Sequence, residues 1–353
     1  MKSFLLLLLF LNVWTLAVCK RKQPVKRGSG TPIVLQFQPD MSSYYELFGE
    51  SAQVTTGFAI GTPPQKLPLF IETINYDENR GLQVNVIGEK GQFKPSASST
   101  FVKKGKSEDY VATDIVKLPN GQSKRFPVYI QTYQKYWTQP AILHLGRQSK
   151  NPNDNFVQSL LKDYKDKVAV IYYEKNTKNA TIPPAMTLTL GGRPNNVCSN
   201  WHLLSEPKRR PEFSKPNEWL FSLDGLSIDG KSFHLKNKAA TFSITGYSGI
   251  KFAHNDDVWS SILEGHGKRD DAIKTLKAKK LSYKIGGLDF DVTIEPKKFH
   301  LPKCEPQDDW CTLGDDRPPD ERNPHHVLPH SVLYDKCLLL DFEKKRISVA
   351  NRK

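Results

Sequence analysis

The sequence predicts an all-β protein with short helices, and three stretches carry that prediction. Residues 58–74 form two apolar runs around a glycine and two adjacent prolines, which predicts a strand, a sharp turn and a second strand. Across residues 54–128, short β-rich runs alternate with turn signals. Residues 219–230 alternate at period two and reach a turn at Asp229–Gly230.

The first nineteen residues, Met1 to Cys19, predict a secretory signal peptide. One lysine precedes an apolar run of about a dozen residues, shorter than the roughly 20 that span a bilayer, and small residues follow it. A membrane anchor is the alternative interpretation of this run. No other stretch is apolar enough to span a membrane, so we expect a soluble, secreted protein.

A basic segment follows the leader. Residues 20–30 combine Lys-Arg dipeptides with Pro, Gly and Ser, a composition typical of disorder. We therefore assign 20–44 to an N-terminal segment that is disordered or removed, and expect the folded part to begin at residue 45.

Charge is strongly positive, with 51 Lys and Arg against 37 Asp and Glu and a formal net charge of +14. A basic exported protein attracts anionic glycans or membrane surfaces over long range. The alternative is a solvated, lysine-rich surface without a specific partner. No recognisable nucleic-acid motif accompanies the charge, so nucleic acid is not an expected partner.

Cysteine usage and a glycosylation sequon fit export. Beyond the leader, four cysteines allow three pairings, and sequence alone does not select one. Spacing favours a local Cys304–Cys311 loop, which leaves Cys198 and Cys337 as a long-range pair. Export favours disulfides over a metal site, and Asn179 begins an Asn-Ala-Thr sequon expected in an exposed loop.

The stretch 60–65, Ile-Gly-Thr-Pro-Pro-Gln, followed by a strand that ends in acid-Thr, resembles the pepsin-like aspartic peptidases. In that family the strand ends in Phe-Asp-Thr-Gly-Ser, and its aspartate is one of two catalytic carboxylates. Here Glu72 stands in place of that aspartate, Thr73 matches, and Ile74 replaces the glycine.

Further segments resemble the same family in the same order. They are 93–101, 140–146, 188–192, 219–223, 327–334, 339–342 and 345–350. The resemblance runs from Tyr45 to Lys353 and implies a bilobal fold with a cleft between an N-terminal lobe, 45–192, and a C-terminal lobe, 193–353. A Cys198–Cys337 pair also resembles a disulfide of some family members.

The second catalytic aspartate of the family corresponds to Ile244. Thr245 and Gly246 match the residues that follow it, and in the family the threonines that match Thr73 and Thr245 bind the two loops together. The resemblance therefore implies a retained scaffold in which Thr73, Ile74, Thr245 and Gly246 are structural.

Loss of the second acid removes the chemistry that the family uses. Two carboxylates must share one proton and one water, and Ile244 neither accepts nor donates a proton. Glu72 moves the remaining carboxyl outward by about an ångström, a displacement that alone can lower the rate roughly 10²-fold. We expect no catalytic residue, and Glu72 taken alone is also compatible with a solvated loop carboxylate.

Several shorter stretches carry local expectations. The family's substrate-covering flap is shortened or lost at 103–110, and Asn120–Gly121 turns a later strand pair. His144 replaces a family glycine and is expected to be structural. Residues 156–164 have helical spacing before a buried strand at 168–173, and His325–His326 is expected to be solvated.

Three functions remain open at this point. The first is a secreted, non-catalytic pepsin-like protein that binds a peptide, protein or anionic glycan, as a monomer and without a cofactor or metal. The second is an aspartic endopeptidase with an altered site, in which Glu72 pairs with Asp77 or Glu78. The third is a structural or storage role.

Overall fold

A computed structural model describes residues 30–45, 50–73, 81–86, 93–132, 141–147, 151–175, 183–211, 214, 217–244, 279–294 and 325–353. Over these ranges the protein is mainly β, which confirms the all-β prediction. Strands β1 to β11 are, in order, Ile33–Tyr45, Glu50–Thr55, Ala59–Ile60, Gln65–Lys66, Leu69–Glu72, Leu82–Asn85, Val102–Lys103, Tyr110–Lys117, Ser123–Gln131, Ala141–His144 and Val168–Tyr173.

Strands β12 to β22 are Met186–Leu190, Cys198–Leu203, Phe221–Ser222, Gly225–Ile228, Lys231–Phe233, Ala239–Phe242, Lys279–Ile285, Leu288–Ile294, His326–Leu328, Lys336–Asp341 and Arg346–Arg352. One α-helix, α1, spans Phe156–Leu161, and short 3-10 helices span Pro95–Ala97 and His330–Leu333 in this part of the chain.

Fifteen of these strands form one mixed sheet. Its order is β13–β22–β21–β11–β12–β1–β2–β5–β10–β6–β9–β8–β3–β4, with β7 paired to β8. Most neighbours are antiparallel, but β5 and β10 are parallel, as are β6 and β9. Two smaller sheets, β14–β17–β20 and β16–β15–β18–β19, come from the second half of the chain.

Strand β1 corrects the prediction of a disordered segment at 20–44. From Ile33 the chain pairs with β12, in the register Ile33↔Leu190 to Phe37↔Met186. Ile33, Leu35 and Phe37 are buried while the residues between them are exposed, the period-two pattern of a half-buried strand. The basic composition of the preceding residues hid this short apolar alternation.

The predicted strand–turn–strand unit at 58–74 is confirmed as β3, β4 and β5. Ala59 pairs with Lys66 and Ile60 with Gln65 across the turn. Gly61 has φ +93°, and a Cβ there would lie 2.9 Å from the Ser98 hydroxyl oxygen. A larger residue would therefore be strained both by its backbone angle and by its contact with Ser98.

The predicted helix and buried strand are also confirmed. Helix α1 begins after Asn155, whose side chain accepts from the Gln158 backbone N–H, and it buries four apolar side chains. Strand β11 follows and is almost fully buried between β12 and β21. Downstream, β15 and β16 form the predicted hairpin on Asp229–Gly230, where Ile228 pairs with Lys231.

One hydrophobic cluster runs through all three sheets, and a smaller one surrounds the disulfide between Cys198 and Cys337. This disulfide confirms the predicted long-range pair. Cys304, Cys311, Asn179 and the leader lie outside the described residues. Within the ranges given above, no helix is long and apolar enough to cross a bilayer.

Candidate functional site

The candidate site begins where two parallel strands end side by side. In the β5–β10 pair, Glu72 lies opposite His144. The Leu145 N–H donates to the Glu72 carbonyl at 2.8 Å, and the His144 N–H donates to the Gly81 carbonyl at 2.8 Å. The backbone of both strand ends is therefore fixed, and both side chains are held at the same level of the sheet.

The side chains of these two residues meet inside the protein. His144 Nδ1 lies 2.8 Å from Glu72 Oε2, with side-chain exposures of 4% and 10%. The contact has the distance of an ion pair without the alignment of a hydrogen bond. Glu72 is buried, so its interpretation as a solvated loop carboxylate is wrong. His144 lies opposite Glu72, at the position that corresponds to a glycine in the pepsin-like peptidases that the sequence resembles.

A buried amide orients the other side of the imidazole. His144 Nε2 lies 3.1 Å from Gln83 Oε1. The Gln83 amide nitrogen donates to Gln131 Oε1 and, at 3.4 Å, to Asn85 Oδ1. With its N–H₂ group directed to two acceptors, Gln83 offers His144 an oxygen, which only accepts. His144 Nε2 therefore carries a hydrogen and donates it.

The contact between Glu72 and His144 is closed off from bulk water, because both side chains are buried.

A second parallel pair, β17 with β20, is joined to β5 through Thr73, and we call this junction the seam. The β17–β20 pair is in register from Ala240↔His326 to Phe242↔Leu328, and the Ser243 N–H donates to the Leu328 carbonyl at 2.8 Å. Ile244 follows directly and is fully buried. The chain thus presents the same local arrangement twice, with an acid at the end of β5 and an isoleucine just after β17.

Thr73 joins the two strand ends. Its hydroxyl donates to the Phe242 carbonyl at 2.7 Å and accepts from the Ile244 N–H at 3.1 Å. Thr73 is buried, so both hydrogen bonds are shielded from water. The structure therefore brings Glu72, Thr73 and Ile244 to one place, although the first two are separated from Ile244 by much of the chain.

Further hydrogen bonds tie the end of β10 to the second half of the chain. The Trp219 indole N–H donates to the Leu145 carbonyl at 2.5 Å, and the Arg147 N–H donates to the Asn217 carbonyl at 2.7 Å. Trp219 is buried. Residues flanking His144 are therefore held from both sides of the seam.

The prediction of a solvated His325–His326 pair is wrong. Both residues are buried, with His326 in β20 beside β17 and its Nε2 2.8 Å from the Asn237 carbonyl oxygen. His325 Nδ1 lies 3.9 Å from Glu218 Oε2. The polar, proline-rich sequence before them suggested a loop, but pairing with β17 places them in the core.

Residues 103–110, where a shortened or lost flap is expected, connect β7 to β8 with exposed side chains along most of their length. Asn120–Gly121 turns the long β8–β9 hairpin, as predicted. Ile74, Thr245 and Gly246, with the alternative acids Asp77 and Glu78, lie outside the described residues. Within the described ranges, no group of three or more His, Cys, Asp and Glu could hold a metal ion.

Sequence reasoning identified Glu72, Thr73 and Ile244 but missed the contact of Glu72 with His144 and the buried amides that orient His144. Gln83 and Gln131 gave no signal, because a glutamine in a β-rich stretch is ordinarily a surface residue.

Compared with known proteins, the chain matches no family model and no curated protein.

Proposed function

We propose that this chain is a secreted homologue of the pepsin-like aspartic peptidases, with a bilobal fold, that binds a partner and does not cleave it. The observation that carries the proposal is the pairing of Glu72 with His144 on one side of the seam while Ile244 lies on the other. An aspartic-peptidase mechanism needs two carboxylates that share a proton and a water at that place.

The Glu72–His144 pair supports the loss of catalysis independently of Ile244. The carboxyl group of Glu72 lies 2.8 Å from the imidazole of His144 on the neighbouring strand, and 8% of Glu72 is exposed. A general base must reach the proton that it abstracts, directly or through one water. A buried carboxyl turned toward His144 is poorly placed for that task.

The retained scaffold supports a binding role. Thr73 keeps the two strand ends joined, and the buried Trp219 contact keeps the seam closed around them. A fold that preserves these contacts keeps a shaped surface for a peptide, a protein or a glycan after the chemistry is gone.

The proposal is tested by incubating the purified protein with an unfolded protein substrate from about pH 3 to 7. The products are resolved by mass spectrometry, and E72A is treated in parallel. We expect no fragment that depends on Glu72. Fragments present with the natural protein and missing with E72A would instead support an endopeptidase with an altered site.

A further inference from the structure

The strongest feature outside the candidate site is a surface rich in cations. Segments 56–71, 93–107 and 115–132 together carry eight Lys and Arg residues and no Asp or Glu. Between the last two segments lie Glu108, Asp109 and Asp114. Asp114 is fully buried and accepts from the Thr100 hydroxyl, and Asp109 accepts from the Thr132 N–H. Cations therefore outnumber carboxylates in this part of the molecule.

Strand register places three of these cations on one side of the sheet. Lys66 in β4 pairs with Ala59 in β3, Ala59 pairs with Lys117 in β8, and Lys117 pairs with Ser123 in β9. Side chains of directly paired residues project to the same side. Arg125 lies two residues beyond Ser123 and therefore projects to that side as well.

We call Lys66, Lys117, Ser123 and Arg125 the basic face. All four residues are exposed. The backbones of Lys66 and Lys117 are two strand spacings apart, about 10 Å, and Arg125 lies about 7 Å along its strand from Ser123. The Arg125 guanidinium donates to the Thr100 and Thr113 carbonyls, which holds the side chain down on the sheet while its charge stays exposed.

These charges have no acidic partner among the described residues. Lys104 and Lys124 pair with Asp154 and Asp163, but Lys66, Lys117 and Arg125 form no ion pair there. Several exposed cations without acidic partners on one side of a sheet attract a polyanion.

We propose that the basic face binds a linear anionic polysaccharide. The positive charge of the face favours a polyanion as its partner. The residues of the face then distinguish between an acidic protein, a nucleic acid and a polysaccharide. A protein partner ordinarily needs an apolar centre at the interface, whereas the apolar residues between these cations, Ala59 and Ile115, are buried or half-buried and leave the exposed surface to charge. Single-stranded nucleic acid needs aromatic platforms, and the four residues of the basic face include no aromatic side chain. The inference names the partner class of the proposed binding function and rests on that function.

Heparin is the probe, because its repeating sulfates and carboxylates match the required charge. Binding is measured by titration at about 0.15 M salt and over a salt series, since screening weakens contacts between exposed charges. We expect saturable binding that weakens as salt rises. K66A/K117A/R125A should weaken it about tenfold or more and flatten the salt dependence.

The matched control removes the same charge elsewhere. K231A/K238A/K284A replaces three exposed lysines in the second half of the chain and should weaken binding less than about twofold, because their charges lie away from the face. K66R/K117R/R125K keeps every charge and should bind like the natural protein. Thermal unfolding verifies that each variant is folded.

Three results would overturn the inference: no heparin binding by the natural protein, equal losses in both alanine triples, or polyglutamate bound as tightly as heparin. The last result would assign the face to an acidic polypeptide instead. None of these results depends on proteolysis, so failure here is distinguishable from failure of the proposed loss of catalysis.

Discussion

The Glu72 carboxyl and the His144 imidazole meet at 2.8 Å because β5 and β10 are parallel neighbours in register. The two residues come from distant parts of the sequence, and the strand pairing brings their side chains together in the core. The consequence is a buried contact between the ends of two neighbouring strands.

Removal of His144 should destabilise the fold strongly. In H144L the Glu72 carboxyl stays buried without its partner, and Gln83 Oε1 loses its donor. Breaking a buried pair from one side typically costs about 3–5 kcal/mol of unfolding free energy. Urea unfolding at neutral pH measures this loss, and E72L/H144L should recover at least half of it because neither polar group is then left alone.

The matched control is H202L, at a histidine exposed in β13. It should change the unfolding free energy by less than about 0.5 kcal/mol. If H144L and H202L had similar effects, or if the double variant were no more stable than H144L, the Glu72–His144 pair would not be the interaction described.

Loss of the Thr73 hydroxyl should loosen the junction between the two strand ends. T73V keeps the shape of the side chain but leaves the Phe242 carbonyl and the Ile244 N–H without this partner. Each such group left unsatisfied in the interior costs about 1–3 kcal/mol. Because T73V leaves two such groups, its free energy of unfolding should fall by about 2–6 kcal/mol, and T73S, which keeps the hydroxyl, should restore most of this loss. A T73V protein as stable as the natural one would contradict the bridge.

The fold should lose stability as the pH falls, in part through His330. Its ring is fully buried against Tyr173, and neither ring nitrogen has a hydrogen-bond partner among the described residues. Desolvation lowers the pKa of His330 from 6.5 to about 3. As the pH falls, the imidazole of His330 therefore binds a proton in the unfolded chain before it does so in the folded chain. The contribution of uncharged His330 to the free energy of unfolding is fully present above about pH 6.5 and is lost progressively toward pH 3.

H330F keeps an aromatic ring beside Tyr173 and removes the titration. Between pH 6 and 4 its unfolding free energy should fall less steeply than that of the natural protein, by up to about 1.4 kcal/mol per pH unit. The same substitution at the exposed His234 controls for loss of a histidine as such. Identical slopes for H330F and the natural protein would show that His330 is not buried as an uncharged group.

The Cys198–Cys337 disulfide closes a loop with a sequence separation of 139 and joins β13 to β21 within one buried cluster. C198A/C337A should unfold about 2–5 kcal/mol more easily, because the unfolded chain regains the freedom of that loop. Thermal unfolding with and without reductant measures the effect, and the reductant should destabilise the natural protein more than the variant. Equal sensitivity to reductant would mean that another bond carries the stabilisation.

Local sequence patterns predicted the elements whose signals are local. The turn at Gly61, the Asp229–Gly230 hairpin and helix α1 each depend on neighbouring residues, and each is confirmed. The Cys198–Cys337 pair was predicted from spacing together with the family resemblance, and it is also confirmed.

Contacts that depend on strand pairing could not be predicted in the same way. His325 and His326 lie beside polar residues in the sequence, but the parallel β17–β20 pair buries them. The contact of Glu72 with His144 and the orienting role of Gln83 likewise depend on which strands are neighbours. Alternation along single strands carries no information on that order.

The proposed loss of catalysis is tested most directly by incubating an unfolded protein substrate with the folded chain, from about pH 3 to 7. Circular dichroism at each pH verifies that the protein remains folded, and E72A and H144L are measured beside it. We expect no fragment that disappears in E72A at any pH at which the protein is folded. Cleavage by the natural protein that E72A abolishes would contradict it, and would require a second acid acting with Glu72.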